Sequence, residues 1–373
     1  MLHLVFAGGG TAGHLMPGIA MAEYLSRAPQ KPRITFALTG RNLETRLVAG
    51  AGFEHVIIPS RPLPRTATEA IGFISTSFTG YRAAAKFVAT EHVSLVIGLG
   101  GYGSVPMARA AARRRIPLIL LEQNAIPGRA TRWLASSASV VCTAFEQVQS
   151  HLKPNVFVRV TGNPVRFAQP SVHWQSRFDD ESPRVRQLVV LGGSGGSRTL
   201  NEQVPRALYK AREAIEGWRI LHQSGDRNAA AVRELYQKFG IAATVSTFFD
   251  DVPRMLADTD LAISRAGGTT LAELAALAVP AILVPYERAT DNHQRLNADV
   301  FAAAGAAKLL EPREIDRRLD DRLAETVTEL ARNTQLRRRM TESMHDFARP
   351  LASRSVARTI REVLRSRRLA GVA

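Results

Sequence analysis

Leu4-Val5-Phe6-Ala7 runs directly into Gly8-Gly9-Gly10-Thr11-Ala12-Gly13-His14, and much later Leu188-Val189-Val190-Leu191 runs into Gly192-Gly193-Ser194-Gly195-Gly196-Ser197-Arg198. A short apolar strand, a tight glycine turn and a helix start form the arrangement that brings backbone N–H groups and a helix N-terminus to a phosphate. Two such units, about one domain length apart, predict two α/β domains facing each other across a cleft.

The chain around these loops supports that class. Strand-like runs are expected at Leu2–Ala7, Arg33–Leu38, His55–Ile58, Ser94–Leu99, Pro117–Leu121, Val140–Thr143 and Phe157–Val160. The second half repeats the pattern near Gln187–Leu191, Arg219–His222, Thr244–Thr247, Leu261–Ser264, Ala281–Val284 and Lys308–Leu310. Helical stretches fall between them, such as Pro17–Ser26 with Pro17 in the first turn and Asn42–Ala49 with Asn42 as N-cap. Alternation of this kind predicts parallel sheets covered on both faces, in two doubly wound Rossmann-like domains. The continuous apolar run Leu118-Ile119-Leu120-Leu121 agrees, having no polar side to show to water. The expected boundaries are 1–163, 164–349 and a last helix at 350–373 that returns to the first domain. That helix ends an arginine-rich helical tail, from about Glu314 to Arg368, broken at Arg349-Pro350.

Composition narrows the class. The 373 residues are 45% apolar and 22% charged, an ordinary globular balance long enough for two domains. The single cysteine, Cys142, excludes an intramolecular disulfide and a cysteine-based zinc site, and fits a reducing compartment. No basic stretch or small-residue cleavage site precedes the first strand, so no signal peptide is expected. The longest apolar run, Ala275 to Pro285, contains Pro280 and falls far short of the roughly 18–20 residues of a membrane span. The excess of 49 Lys+Arg over 33 Asp+Glu, formally +16, favours a polyanionic partner: a phosphorylated substrate, an anionic lipid surface or nucleic acid. With 6% aromatics and no RNA-recognition motif, zinc finger or basic region leading into heptads, no nucleic-acid partner is expected.

Gly8-x-Gly10-x-x-Gly13 matches a dinucleotide fingerprint in form. That reading needs an acid about 20 residues on, at the end of the second strand, for the ribose hydroxyls. Here that strand ends Leu38-Thr39-Gly40-Arg41, with no acid, although Arg41 would suit a 2′-phosphate. Other segments fit sugar-nucleotide chemistry better. Gly98 to Ser104 is a further glycine loop after a strand, and Glu122-Gln123-Asn124 lies at a strand's carboxyl end, where open α/β sheets bind ligands. Asn124 has a plainer reading as the cap of a helix beginning near Pro127. Arg265-Ala266-Gly267-Gly268-Thr269-Thr270-Leu271-Ala272-Glu273 offers amides and hydroxyls to a pyrophosphate, with Glu273 one turn into a helix. Asp291-Asn292-His293-Gln294 follows the next strand and could hydrogen-bond a sugar.

GGGTAGH at 8–14, GGYGS at 100–104, EQN at 122–124, GNPVR at 162–166, GGSGGSR at 192–198, FFDD at 248–251, RAGGTTLAE at 265–273 and the DNHQ-to-Asn297 segment are similar, in this order, to the MurG family. These are the undecaprenyldiphospho-muramoylpentapeptide N-acetylglucosaminyltransferases of peptidoglycan synthesis, of the GT-B type. The resemblance runs from residue 3 to about residue 310 and weakens in the basic tail. It implies transfer of N-acetylglucosamine from UDP-GlcNAc to the C4 hydroxyl of the muramoyl sugar of lipid I, giving lipid II with inversion. The alternatives are an epimerase or a soluble-acceptor transferase of the same fold and, from another class, a basic nucleic-acid-binding protein.

By motif position the resemblance implies a substrate site of Thr11, Ala12, Gly13, Asn124, Arg166, Ser194, Phe249, Gly268, Thr269, Thr270, Leu271, Ala272, Glu273 and Gln294. Ser194 and the 268–270 turn would take the diphosphate, the Phe249 backbone the uracil, Glu273 the ribose, and Asn124 with Gln294 the sugar. Ala12 stands where the family usually has a third loop glycine. No metal and no cofactor are expected. A helix N-terminus and oriented amides would stabilise the departing UDP instead. His14 is the first candidate for general base, since an imidazole ordinarily titrates near neutrality, and Glu122 is the second. An acceptor held in a membrane requires docking to the cytoplasmic face of the plasma membrane. Ile71, Ile74, Phe78 and Tyr81, spaced along one helix face and followed by Arg82 and Lys86, would provide it.

Overall fold

Among the described residues, the expected runs of the first half become seven strands: β1 (His3–Ala7), β2 (Arg33–Leu38), β3 (Glu54–Ile57), β4 (Leu95–Gly98), β5 (Leu118–Glu122), β6 (Val140–Thr143) and β7 (Val158–Val160). The second half gives six: β8 (Gln187–Leu191), β9 (Arg219–Gln223), β10 (Thr244–Ser246), β11 (Leu261–Ser264), β12 (Ala281–Leu283) and β13 (Ala307–Leu309). Each end lies within one residue of the position expected from the sequence. The computed structural model describes residues 2–64, 66–166, 174–178, 184–193, 195–226, 228–249, 251–287, 289–313 and 318–370.

The chain divides into two units, Met1–Ala168 with Leu351–Ala373, and Gln169–Pro350. All strands pair in parallel, in the order β3-β2-β1-β4-β5-β6-β7 in the first unit and β10-β9-β8-β11-β12-β13 in the second. These are two doubly wound, Rossmann-like sheets. In each, the order reverses beside the first strand of the unit, between β1 and β4 and between β8 and β11. The carboxyl ends at such a switch point leave a crevice in which this architecture binds ligands. Both glycine loops open there.

In the first unit, Leu4 and Phe6 of β1 pack with Leu15 and Ile19 of helix Ala12–Ser26 on one face of the sheet. Val5 and Ala7 pack with Val88 and Met107 on the other. Val356, Ala357 and Ile360 of helix Ala352–Ala370 join the β1 core on the first face. In the second unit, Leu188 and Val190 pack with Leu200 and Val204 of helix Arg198–Lys210 and with Leu323 and Val327 of helix Leu319–Arg332.

Three local expectations are corrected. Helix Ala12–Ser26 begins directly after the glycine loop, so Pro17 lies inside it rather than in its first turn. The hydrogen bond lost there is offset by burial of Leu15, Ile19, Met21 and Ala22. Asn42 starts its helix but does not cap it; the N-cap position is Arg41, without a side-chain bond. The basic tail breaks at Asn333 as well as near Pro350, because Asn333 ends helix Leu319–Arg332 and caps Thr334–Asp346 through Leu336 N at 2.8 Å.

Candidate active site

In the first unit the loops after β1, β2 and β4 close on one another. The His14 imidazole is half-buried and packs on the Gly100-Gly101 backbone. A Cβ built on Gly100, where φ is +91°, would stand 3.1 Å from His14 Cδ2. Thr11 Oγ1 lies 3.0 Å from His14 Nδ1. With the ring donating Nδ1–H to that hydroxyl, the imidazole lone pair lies on Nε2, the form a general base requires.

Glu122 is buried at the end of β5, and both of its oxygens already accept hydrogen bonds. Oε1 takes Asn124 N at 3.1 Å and Asn124 Nδ2 at 3.0 Å, and Oε2 takes Gly128 N at 3.0 Å. Asn124 therefore does not cap the next helix, Arg129–Leu134, whose N-cap is Gly128. Glu122 ties the strand end, Asn124 and that helix start into one turn. Arg166 belongs to this unit too, and its Nη2 pairs with Glu23 Oε1 at 2.8 Å.

In the second unit, residue 194 lies outside the described residues. The loop around it is held from below. Gln223 Nε2 donates to Gly193 O at 3.0 Å, and Ser197 Oγ caps the following helix by accepting Leu200 N at 3.2 Å. Gly196, at φ +75°, comes so close to β9 that a Cβ would stand 2.0 Å from Ser224 O. Beneath it, Asn201 Nδ2 donates to Ser224 O at 2.9 Å, and His222 joins Asn201 Oδ1 at 3.0 Å to Tyr236 Oη at 2.9 Å. Burial pushes the His222 imidazole down to about 3, so it is neutral.

Across the switch point, the 265–268 turn leads into helix Gly268–Ala276, whose N-cap is Gly267 and which no side chain caps. The fully buried Asn297 fixes the turn by donating Nδ2 to Ala266 O at 3.0 Å. At the far end of the same helix, Arg177 donates to Leu277 O at 2.6 Å and Ala278 O at 2.9 Å, and to Ala257 O at 3.2 Å of the preceding helix. A cation on the last carbonyls complements the helix dipole. Glu273 is half-buried, and no side-chain hydrogen bond or ion pair reaches it among the described residues. Burial pushes its carboxyl up to about 7. Gln294 Oε1 accepts Tyr286 N at 3.0 Å and so shapes the turn after β12. Tyr286 in turn lies under the Arg265 guanidinium, 4.4 Å from the ring centroid. Ser246 Oγ donates to Phe248 O at 2.7 Å, setting the backbone before Phe249.

A cavity of about 630 Å³ opens above the carboxyl ends of β8, β11, β12 and β13, lined by Ser197, Arg198, Arg265, Tyr286, Arg313 and Arg318 among others. Residues 268–273 flank this space rather than line it. Burial lowers the pKa of Arg265, which has no acidic partner among the described residues. No group of three or more His, Cys, Asp and Glu side chains clusters among the described residues.

Residues 4–143 match the glycosyltransferase family 28 N-terminal domain, and residues 187–355 match the glycosyltransferase family 28 C-terminal domain. The chain belongs to glycosyltransferase family 28. It is 33% identical over 363 residues to a UDP-N-acetylglucosamine–N-acetylmuramyl-(pentapeptide) pyrophosphoryl-undecaprenol N-acetylglucosamine transferase of Myxococcus xanthus, covering 96% of this chain and 92% of that one. A protein of the same name from Sorangium cellulosum is 34% identical over 375 residues, covering 99% and 90%. Among solved structures, MurG of Acinetobacter baumannii superimposes with a TM-score of 0.74 at 28% identity, covering 97% of this chain and all of that one. A UDP-GlcNAc 2-epimerase from Neisseria meningitidis shares the fold alone, with a TM-score of 0.66 at 13% identity.

For a family 28 transferase, sequence reasoning found the loops and missed what holds them. Asn201, His222 and Arg177 carry no motif of their own in the sequence, and Asn297 stands only at the end of one. Arg265 and Tyr286 gain significance only once their turns stand side by side over the cavity.

Proposed function

We propose that this family 28 transferase moves N-acetylglucosamine from UDP-GlcNAc to the C4 hydroxyl of the muramoyl sugar of lipid I, forming lipid II with inversion. The observation that carries this reading is the identity of about a third, along nearly the whole length, to transferases named for that donor and acceptor. The unit Met1–Ala168 with Leu351–Ala373 serves the acceptor, and Gln169–Pro350 serves the donor. His14 Nε2 takes the proton from the acceptor hydroxyl as its oxygen attacks the anomeric carbon. The bond from that carbon to the β-phosphate oxygen breaks, and UDP leaves with the electron pair.

The negative charge on the diphosphate is met by the uncapped start of helix Gly268–Ala276 and by the 192–197 loop. Such donors are oriented before reaction and need no reorganisation. Glu273 accepts from the ribose hydroxyls, which supply the hydrogen bonds its half-buried carboxyl lacks. Glu122 acts as the holder of Asn124, and Asn124 and Gln294 address the sugar. Arg166, if it serves the donor, must exchange its Glu23 pairing for the substrate.

Docking to an anionic membrane surface completes the reading. Helix Ala67–Thr90 buries Gly80, Ala84 and Val88 and leaves Ile71 at 77%, Ile74 at 66% and Phe78 at 60% exposed. Arg82 lies beside the Phe78 ring, and Arg109 beside the exposed Trp133. Apolar side chains rimmed by cations suit the boundary between headgroups and acyl chains. Among the described residues no helix is long and apolar enough to cross a membrane. Phe73, at roughly 100° per residue, turns toward the packed side and is half-buried.

The test is the purified protein with labelled UDP-GlcNAc and a lipid I analogue. Label in lipid II, with the β configuration at the new bond, supports the proposal. UDP-N-acetylmannosamine formed without acceptor would replace it with an epimerase.

A further inference from the structure

We propose that Glu44 is the positioning residue of the first glycine loop: its buried carboxylate occupies, as an internal anion, the loop amide that a phosphate would take in a dinucleotide site, and thereby sets Thr11 and His14. This rests on the reading of His14 as the base. A glycine turn after a strand points backbone N–H groups into a concavity, and each such group needs an acceptor. Here Gly10 N donates to Glu44 Oε1 at 2.5 Å. Thr39 N donates to Oε2 at 2.9 Å, and Thr39 Oγ1 lies 2.8 Å from both oxygens. Three donors converge on the carboxyl group of a residue that is 2% exposed. The other polar group of Gly10 is held from the same segment, since Arg41 Nη1 donates to Gly10 O at 2.7 Å.

The dinucleotide fingerprint expects its acid at the end of β2, facing a ribose. In this chain the acid comes later, in the first turn of helix Asn42–Gly50, and turns inward onto the loop. A phosphate at Gly10 would meet that carboxylate, so the loop is built to hold side chains and not to cradle a nucleotide. Gly10 is at φ +93°, where a Cβ would stand 3.0 Å from the Tyr102 ring, so the loop is also walled from the β4 side. Thr11 follows Gly10 directly and carries the hydroxyl that contacts His14 Nδ1. Release of Gly10 therefore moves the group that fixes the tautomer and direction of the base.

The experiment compares Glu44→Gln, Glu44→Ala, Thr39→Val and His14→Gln in the full-length protein, measuring kcat, both KM values and rescue by formate. Titration with UDP reports the folded, donor-binding fraction of each. Displacement of a catalytic group by an ångström is expected to lower kcat on the order of tenfold to a hundredfold in both Glu44 variants. Donor KM and UDP stoichiometry stay at wild-type values, and Thr39→Val shows a smaller loss. Formate, a carboxylate small enough for the vacated space, raises the kcat of Glu44→Ala and not that of Glu44→Gln, whose amide fills it. A purely structural role would lower the donor-binding fraction and give no response to formate. Wild-type kcat in Glu44→Gln, or a folded Glu44→Ala indifferent to formate, overturns the proposal. Should Glu44→Ala not fold, the kcat values of Glu44→Gln and Thr39→Val decide. Retained activity in His14→Gln would instead overturn the base assignment, whatever the Glu44 variants do.

Discussion

Replacing Glu273 with glutamine should make the protein more stable and a poorer donor binder at the same time. Its carboxyl lies at about 7 in the folded chain against an ordinary 4.5, because burial disfavours the charged form. A folded-state pKa raised above the unfolded one means stability that is full below pH 4.5 and lost as pH rises through 7. A shift of this size corresponds to about 3 kcal/mol at 1.36 kcal/mol per unit, and partial solvent access reduces it to roughly 1–2 kcal/mol. Glu273→Gln keeps the shape and removes the charge. At pH 8 without ligand it should melt roughly 2–8 °C higher, and at pH 4 at the wild-type temperature. Loss of the charge-assisted acceptor proposed for the ribose hydroxyls should weaken UDP binding by about 1.5–3 kcal/mol, or roughly tenfold to a hundredfold. Wild-type affinity for UDP should also rise across pH 7 as the carboxyl ionises, and this dependence should vanish in the variant. Calorimetric titration with UDP at pH 6 and pH 8, beside melting curves, gives all four quantities. A variant that binds UDP like the wild type, or gains no stability at pH 8, refutes the argument that this carboxyl waits unsatisfied for the donor.

His14→Gln should lower kcat by roughly a hundredfold to ten-thousandfold while leaving UDP affinity unchanged, as seen in single-turnover transfer to a lipid I analogue. The triple change of Ile71, Ile74 and Phe78 to serine should weaken sedimentation with anionic vesicles, at about 1.5–3 kcal/mol for each fully buried side chain, and spare turnover of a short-chain soluble acceptor. Raised salt should weaken vesicle binding too, and a triple variant that binds like the wild type would move the docking surface elsewhere. EDTA should leave turnover nearly intact if, as proposed, amides and a helix start meet the diphosphate charge; a requirement for added divalent cation would contradict that account. Gly196→Ala places its Cβ 2.0 Å from Ser224 O at φ +75°, so it should displace the loop and raise donor KM in steady-state assays.

Much of this was legible in the order of residues. The runs expected from the sequence match the strands among the described residues within a residue at each end; central strands such as β1, β4 and β11 are buried throughout and so read as apolar runs, while the edge strands β3 and β10 are not. The loops that open at the two switch points were visible for the same local reason. The misjudged positions, Pro17 and Asn42, are ones where burial or a neighbouring segment outweighed a local preference. Phe73 and Ile74 are adjacent in sequence, and only the side on which helix Ala67–Thr90 buries Gly80, Ala84 and Val88 separates a half-buried side chain from an exposed one.

The partners of the functional groups belong to tertiary structure alone. Glu44 reads as an ordinary helix residue until β1 and β2 pair and bring Gly10 within 2.5 Å of it. Glu122 reads as a possible base until the fold aims three N–H donors at its two oxygens. Asn297 and Arg177 each grip the region of one helix, Gly268–Ala276, from segments far away in the chain. Secondary structure follows from patterns that span a few residues, so the sequence by itself determined the two doubly wound sheets and where their loops open. Hydrogen-bond partners and desolvation depend on which distant segments meet, and that was decided only when the strands took their order in the sheets.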